Sequence, residues 1–163
     1  MSTLVMLETT GPLGRVQLLA RGDALLAAHL CTPDAKHPLP EVSYGTTPVL
    51  ERAAEQLAAY FAGSRIDFDL PLAAEGTPYQ QRVWKLLATI PFGETWTYGQ
   101  LARAMGDPKA SRAVGAANGK NPLWVIVPCH RVIGANGALT GYAGGITAKK
   151  WLLAHEQRQQ TLV

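Results

Sequence analysis

The sequence predicts an α/β protein of the α+β kind: an N-terminal antiparallel β-sheet with one helix, then a helical domain built around a helix-turn-helix. Three observations predict it. Short apolar runs alternate with Gly, Pro and Asp through residue 31. Two Thr-x-x-Gln capping patterns, Thr77 to Gln80 and Thr97 to Gln100, open helices in the second half. The charge balance changes sign at the same place.

The elements follow in order. Leu4–Leu7, Val16–Leu19 and Leu25–Leu30 are strand-like runs, separated by turns at 10–14 and 21–23, as in an antiparallel meander. Residues 32–46 hold three prolines and read as a surface loop. A helix is expected from Pro48 to Ala62, with Thr47 as its cap, Pro48 in its first turn and Gly63 at its end. Val49, Leu50, Ala53, Leu57, Tyr60 and Phe61 fall near one face of it. A further strand over 66–70 and a linker over 71–76 lead to the second half. There a helix starts after Thr77, runs through Val83, Trp84 and Leu87, and ends near Pro91. A short helix after Thr97 stops at Gly106, and Asp107-Pro108 starts another that reaches about Asn118. Two short helices around one tight Gly turn have the layout of a helix-turn-helix. Leu123–Val127 is wholly apolar and predicts a buried strand leading into Pro128-Cys129-His130-Arg131. The expected division is 1–76 and 77–163.

Composition narrows the function classes. The 163 residues suffice for one ordinary domain or two small ones, and 47% hydrophobic with 17% charged residues fits a globular core rather than disorder. The first residues lack a basic stretch followed by a long apolar run, so neither a leader nor a membrane span is expected. Two cysteines 98 positions apart form neither a disulfide framework nor a zinc ribbon and point to a reducing interior. Residues 1–77 carry five Lys/Arg against nine Asp/Glu, net −4, whereas residues 78–163 carry ten against three, net +7. A basic second half suits a polyanionic partner, though charge also fluctuates along any chain.

Within the helix after Asp107, Ala110, Ala113, Gly115 and Ala116 are small, and Ser111 and Arg112 stand among them. Such a face permits close approach to a surface past which Arg112 can reach; tight packing on a neighbouring helix is the alternative. A lone cysteine after a buried run is usually a small hydrophobe. Polar His130 and Arg131 following Cys129 at once are not accepted by a buried sheet without a reason. In an extended segment Cys129 and His130 would point apart, so a water bridge rather than direct contact would join them.

Pro128-Cys129-His130-Arg131-Val132, with Asn121-Pro122 before it and Gly141-Tyr142-Ala143-Gly144-Gly145 after it, resembles the O6-alkylguanine-DNA alkyltransferase family. The resemblance extends through Tyr79–Trp84, Ile90–Glu94, Thr97-Tyr98, Ser111–Gly115 and Trp151–Glu156, in essence all of 77–156. It implies a ribonuclease H-like N-terminal domain and a winged helix-turn-helix-like C-terminal domain. It also implies a single-turnover repair protein that moves an alkyl group from O6-alkylguanine in double-stranded DNA onto Cys129. O4-alkylthymine would be a second substrate. The resemblance assigns His130 the thiol proton through water, Glu156 the orientation of His130, Tyr98 the proton for departing guanine, and Asn121 the turn before the site. Arg112 would fill the gap left by a flipped base, with Tyr98, Ala110, Ser111, Ala113 and Gly115 also at the DNA. Val132, Tyr142, Ala143, Asn118 and Trp124 would form the base pocket. Relatives often carry Ser where Ala143 stands, so a side-chain hydrogen bond is lost here.

No cofactor is expected, because Gly144-Gly145 lacks the strand and helix of a nucleotide loop. No metal is expected either: His29, Cys31 and His37 lack paired ligand spacing. The remaining expectations are a cytoplasmic location (nuclear in a eukaryote), a monomer in solution, and assembly along DNA left open. Three rivals remain: a binding-only relative, against which Cys129 speaks; a Cys–His hydrolase; and a structural DNA-binding module.

Overall fold

The computed structural model describes residues 3–33, 35, 39 and 41–161. Its first half is a four-stranded sheet ordered β3-β2-β1-β4, formed by β1 (Leu4–Gly11), β2 (Gly14–Arg21), β3 (Ala24–Leu30) and β4 (Ser43–Tyr44). The first three strands are the antiparallel meander that the turn residues require. The fourth, inside the expected loop, pairs parallel to β1 through Val5–Ser43 and Met6–Tyr44. One face of the sheet carries Leu18, Leu25 and Leu30 toward α1 (Pro48–Phe61). The other holds a smaller cluster of Met6, Leu19, Leu26 and Ala27. The Thr47 hydroxyl accepts from Leu50 N, and Gly63 just beyond the helix takes φ 86°, a left-handed conformation that glycine adopts without Cβ strain.

Two expectations between the halves are corrected. Residues 66–70 form no strand; they are bends and irregular backbone, with Arg52 and Gln56 of α1 donating to Asp69 O. The expected linker instead makes the pairing. Leu25 N donates to Pro71 O and Ala73 N to Leu25 O, so Leu72 lies parallel against β3. Periodicity alone could not tell which of two adjacent short apolar runs would meet a sheet edge.

The second half contains α2 (Pro78–Leu87), β5 (Trp96–Thr97), α3 (Tyr98–Ala104), α4 (Ser111–Gly119), β6 (Val132–Ile133) and α5 (Ile146–Thr161). Both capping boxes form: Thr77 with Gln80, and Thr97 with Gln100. Gly106 at φ 88° makes the turn between α3 and α4. The second of these helices starts at Ser111 rather than Pro108, because Asp107 Oδ1 accepts from Lys109 N and holds 107–109 in a side-chain turn. β5 and β6 pair in parallel, tying the start of α3 to the segment after Cys129.

Leu123–Val127 is also not a strand. It is a buried turn, closed by a Val127 N to Leu123 O hydrogen bond of 2.9 Å, in which Val125 takes φ 73°. It meets the sheet at one point, where Leu123 bridges Ala28 of β3 and Trp124 N donates to Ala28 O (3.0 Å). A buried backbone needs its polar groups paired, and here the Asn121 side chain does what a neighbouring strand would. Its amide donates to Leu123 O (3.3 Å) and Val127 O (3.0 Å), and its oxygen accepts from Leu123 N (3.0 Å). The core is continuous between the halves: Leu50, Leu57 and Tyr60 belong to one cluster with Val83, Leu101, Val132 and Leu152.

Candidate active site

Cys129, His130 and Arg131 form one turn of 3-10 helix, not an extended segment. With about three residues per turn, successive side chains diverge by a third of a circle. No hydrogen bond joins Cys129 to His130 among those described, so the two diverge as expected, but for helical rather than extended reasons. Cys129 is 4% exposed. Burial pushes its thiol up to about 11, against the opposing pull of Asn121 and the Lys149 cation. Only about one thiol in 10⁴ would ionise at pH 7 at that value, so thiolate formation needs a base.

A candidate base is the next residue. His130 is fully buried, and its Nε2 is 2.7 Å from Glu156 Oε2 on α5. Burial raises the Glu156 carboxyl, but His130 and Arg131 outweigh it and hold the group well below the usual carboxylate range. An ionised carboxylate only accepts, so Nε2 carries the proton and Nδ1 presents its lone pair. That Nδ1 is buried with no hydrogen-bond partner among the described residues. Burial also pushes the imidazole below its ordinary value, so it is neutral and able to receive a proton.

Glu156 is held by more than His130. Arg131 clamps it through Nε to Oε1 (2.8 Å) and Nη2 to Oε2 (3.0 Å), while Nη1 donates to Ile90 O (2.6 Å). Gly93 N donates to Oε1 (3.3 Å), and Tyr60, from α1 in the first half, donates to Oε2 (2.6 Å). Lys149, buried on α5, donates to Val132 O (2.6 Å) and Thr140 O (3.0 Å). Burial lowers its ammonium to about 8. Tyr60, Arg131 and Lys149 were not singled out from the sequence as site residues. Arg131 could have been, since a buried guanidinium needs a carboxylate. Tyr60 was read only as a residue on the apolar face of its helix, and Lys149 was given no reading.

The other expected residues fall as follows. Tyr98, at the start of α3, donates to Thr140 O (3.2 Å) and lies near enough to Cys129 to feel its charge. Asn118 Nδ2 is 3.5 Å from Cys129 O, and its Oδ1, like the Tyr142 hydroxyl, is buried without a hydrogen-bond partner among the described residues. The Tyr142 ring lies 6.5 Å from His130 and 6.1 Å from Trp124. Both Val132 backbone groups are engaged, N–H with Cys129 O and carbonyl with Lys149, leaving one carbonyl lone pair for a ligand. Ala143 is half-buried beside Gly144, whose carbonyl accepts from Thr32 (2.6 Å).

On α4, Ser111, Arg112 and Ala113 are exposed and Ala110 is half-buried, while a Cβ on Gly115 would lie 3.6 Å from the Tyr98 ring. Of the three metal candidates, His29 stacks on Trp124 (4.1 Å), Cys31 is half-buried, and His37 lies outside the described residues.

Comparison with known proteins bears on this arrangement. Residues 9–74 match a family model described as the 6-O-methylguanine DNA methyltransferase ribonuclease-like domain, and residues 78–158 match that of the DNA binding domain of the same proteins. A methylated-DNA–protein-cysteine methyltransferase of Methanosarcina acetivorans is 48% identical over 145 residues, covering 89% of this chain and 93% of that protein. The constitutive one of Bacillus subtilis is 46% identical over 150 residues, covering 90% and 91%. The crystal structure of Mycobacterium tuberculosis OGT in complex with DNA superposes with a TM-score of 0.87 at 44% identity, over 95% of this chain and 94% of that one. No helix among the described residues is long and apolar enough to cross a membrane.

Proposed function

This chain belongs to the 6-O-methylguanine DNA methyltransferase family, and from that premise we propose that it repairs O6-alkylguanine in duplex DNA by transferring the alkyl group to its own Cys129. The observation that carries the reading is the buried Cys129 next to a neutral His130 whose far nitrogen is bonded to Glu156. We propose the division between the two units at residues 76 and 77, a reading supported by the interval between the two family matches, 9–74 and 78–158.

The chemistry proceeds as follows. The Cys129 thiol proton passes through a water to His130 Nδ1, and Glu156 stabilises the imidazolium through Nε2–H. The thiolate attacks the alkyl carbon in line with the carbon–O6 bond; carbon–sulfur forms as carbon–oxygen breaks, and the electron pair leaves with guanine. The Tyr98 hydroxyl supplies the proton that guanine needs. Burial that makes the thiol weakly acidic also makes its thiolate a strong nucleophile once formed. The thioether product has no group placed to cleave it, so each molecule acts once.

The lesion must leave the base stack to reach Cys129. Arg112, exposed on α4 between Ser111 and Ala113, would occupy the gap, with the small side chains of Ala110 and Ala113 allowing close approach to the minor groove. The excess of basic residues after residue 77 gives sequence-independent attraction to phosphates. Gly115 also serves packing, against Tyr98. The pocket is assigned to Val132, Tyr142, Ala143, Asn118 and Trp124. The protein works in a reducing compartment that holds DNA: bacterial cytoplasm, or the nucleus of a eukaryote.

Stoichiometry tests this reading. Protein mixed with excess duplex carrying O6-methylguanine should restore one guanine per protein molecule and then stop. Continued turnover would favour a hydrolase, and binding without restoration would favour a recognition-only protein.

A further inference from the structure

Glu156 is a crowded carboxylate. Oε2 receives Tyr60 (2.6 Å), His130 Nε2 (2.7 Å) and Arg131 Nη2 (3.0 Å), and Oε1 receives Arg131 Nε (2.8 Å) and Gly93 N (3.3 Å). Five donors on one carboxylate exceed its roughly four lone-pair sites. Arg131 already neutralises the charge and fixes the plane, so the Tyr60 hydroxyl is not needed to make the ion pair. It sits 96 residues away in sequence, on the other half of the molecule, and shares the oxygen that faces the base.

We propose that Tyr60 is a positioning residue for the alkyl transfer: by donating to Glu156 Oε2 it fixes the carboxylate against His130 and limits the negative charge offered to the imidazole, so that Nδ1 stays unprotonated. The inference rests on the alkyl-transfer reading and adds to it a task for the N-terminal half. A base must be empty before it can take the thiol proton. A carboxylate facing His130 alone would favour the imidazolium, and a protonated His130 could not receive anything. Sharing Oε2 among three donors weakens that pull while keeping the ring oriented.

The phenol is built to remain a donor. Burial and the adjacent Glu156 charge push its pKa far above the ordinary tyrosine range, so it keeps its proton. Its ring is set independently of the hydroxyl, by edge contacts with Phe61 (5.5 Å), Phe92 (6.2 Å) and His155 (5.1 Å). His155 Nε2 also lies 2.7 Å from Tyr60 O, bonding the end of α1 to α5. The other groups that face His130 are Lys149 from α5, Arg131 from its own turn, and Tyr142 from the loop after β6. The cations among them oppose protonation of His130, as the Tyr60 hydroxyl does.

Tyr60→Phe tests the proposal, since the ring contacts survive. Single-turnover transfer from O6-methylguanine duplex is followed from about pH 5 to 9, and ¹⁵N spectra of the histidine rings are taken over the same range. The acid limb of the rate profile and the His130 titration should both move up by about one pH unit, and the plateau rate should fall about tenfold. An unchanged profile and titration in folded Tyr60→Phe would overturn the proposal and leave Tyr60 as packing. Should the variant not fold, the unaltered protein decides: Nε2 protonated and Nδ1 bare through neutral pH supports the proposal, and a protonated Nδ1 overturns it. Failure of the unaltered protein to transfer methyl at all would strike the repair reading instead, which keeps the two outcomes distinct.

Discussion

Replacing Asn121 by alanine should destabilise the protein by about 3 kcal/mol and slow transfer about a hundredfold. Asn121 is 2% exposed and serves three backbone groups of the turn that delivers Cys129. The three losses are unequal. Leu123 O keeps Val127 N at 2.9 Å, and Val127 O keeps Cys129 N at 2.8 Å, so each carbonyl loses only a second partner. Each such bond is worth about 0.5–1.5 kcal/mol net. The Leu123 N–H has no other acceptor among the described residues, and a buried orphan costs about 1–3 kcal/mol. The same turn carries Val125 at φ 73°, an uncommon conformation for a β-branched residue that persists where its surroundings impose it. With a urea slope of about 2 kcal/mol/M, the midpoint should fall by about 1.5 M. The assay is urea denaturation followed by tryptophan fluorescence, alongside a single-turnover rate on methylated duplex. A midpoint shift below about 0.5 M with an unchanged rate would refute the reasoning.

Three further outcomes are expected. Glu156→Gln leaves Arg131 buried without its counter-charge and should cost about 3–5 kcal/mol at neutral pH. Because the folded carboxyl is depressed, its contribution is present above the unfolded value near 4.3 and fades as pH falls toward the lower folded value. The gap between the two proteins should therefore narrow on acidification; a constant gap would contradict the linkage. Arg112→Ala should impair repair of duplex DNA far more than reaction with free O6-benzylguanine, and equal losses would remove Arg112 from base flipping. Lys149→Met should slow reaction with the free base several-fold, since it removes the cation that eases ionisation of Cys129. An unchanged rate would make Lys149 only a clamp on the Val132 and Thr140 carbonyls.

Much of the fold was legible because its signals are local. Thr47, Thr77 and Thr97 each cap the helix that follows, and Gly63 and Gly106 end helices by taking positive φ. The meander followed from turn residues at fixed spacing. What misled was apolar character without periodicity. Leu123–Val127 is as buried as a strand, but beyond one contact with β3, where Trp124 N donates to Ala28 O, its backbone relies on one asparagine side chain and on local turns, which no pattern of apolar residues reveals. Leu72 paired with β3 instead of residues 66–70 because sheet edges choose partners by tertiary position.

The site divides in the same way. Cys129, His130 and Arg131 are contiguous, and Glu156 was reached through the resemblance; hydrogen bonds of 2.7–3.0 Å join it to His130 and Arg131. Tyr60 was read as one more residue on an apolar helix face. Its ring does lie there, and only its hydroxyl, meeting a carboxylate 96 residues away, gives it another task. Lys149 was invisible for the same reason: its partners are the carbonyls of Val132 in β6 and Thr140 in the loop after it, whose path the sequence does not state.

The central claim is that Cys129 is the acceptor, and a peptide map tests it most directly. After reaction with duplex containing O6-methylguanine, intact protein should gain the mass of one CH₂, and fragmentation should place it on Cys129, with Cys31 unmodified. Cys129→Ser should bind the same duplex and gain nothing. A methyl on Cys31 or elsewhere, or guanine restored with no gain in protein mass, would contradict the account.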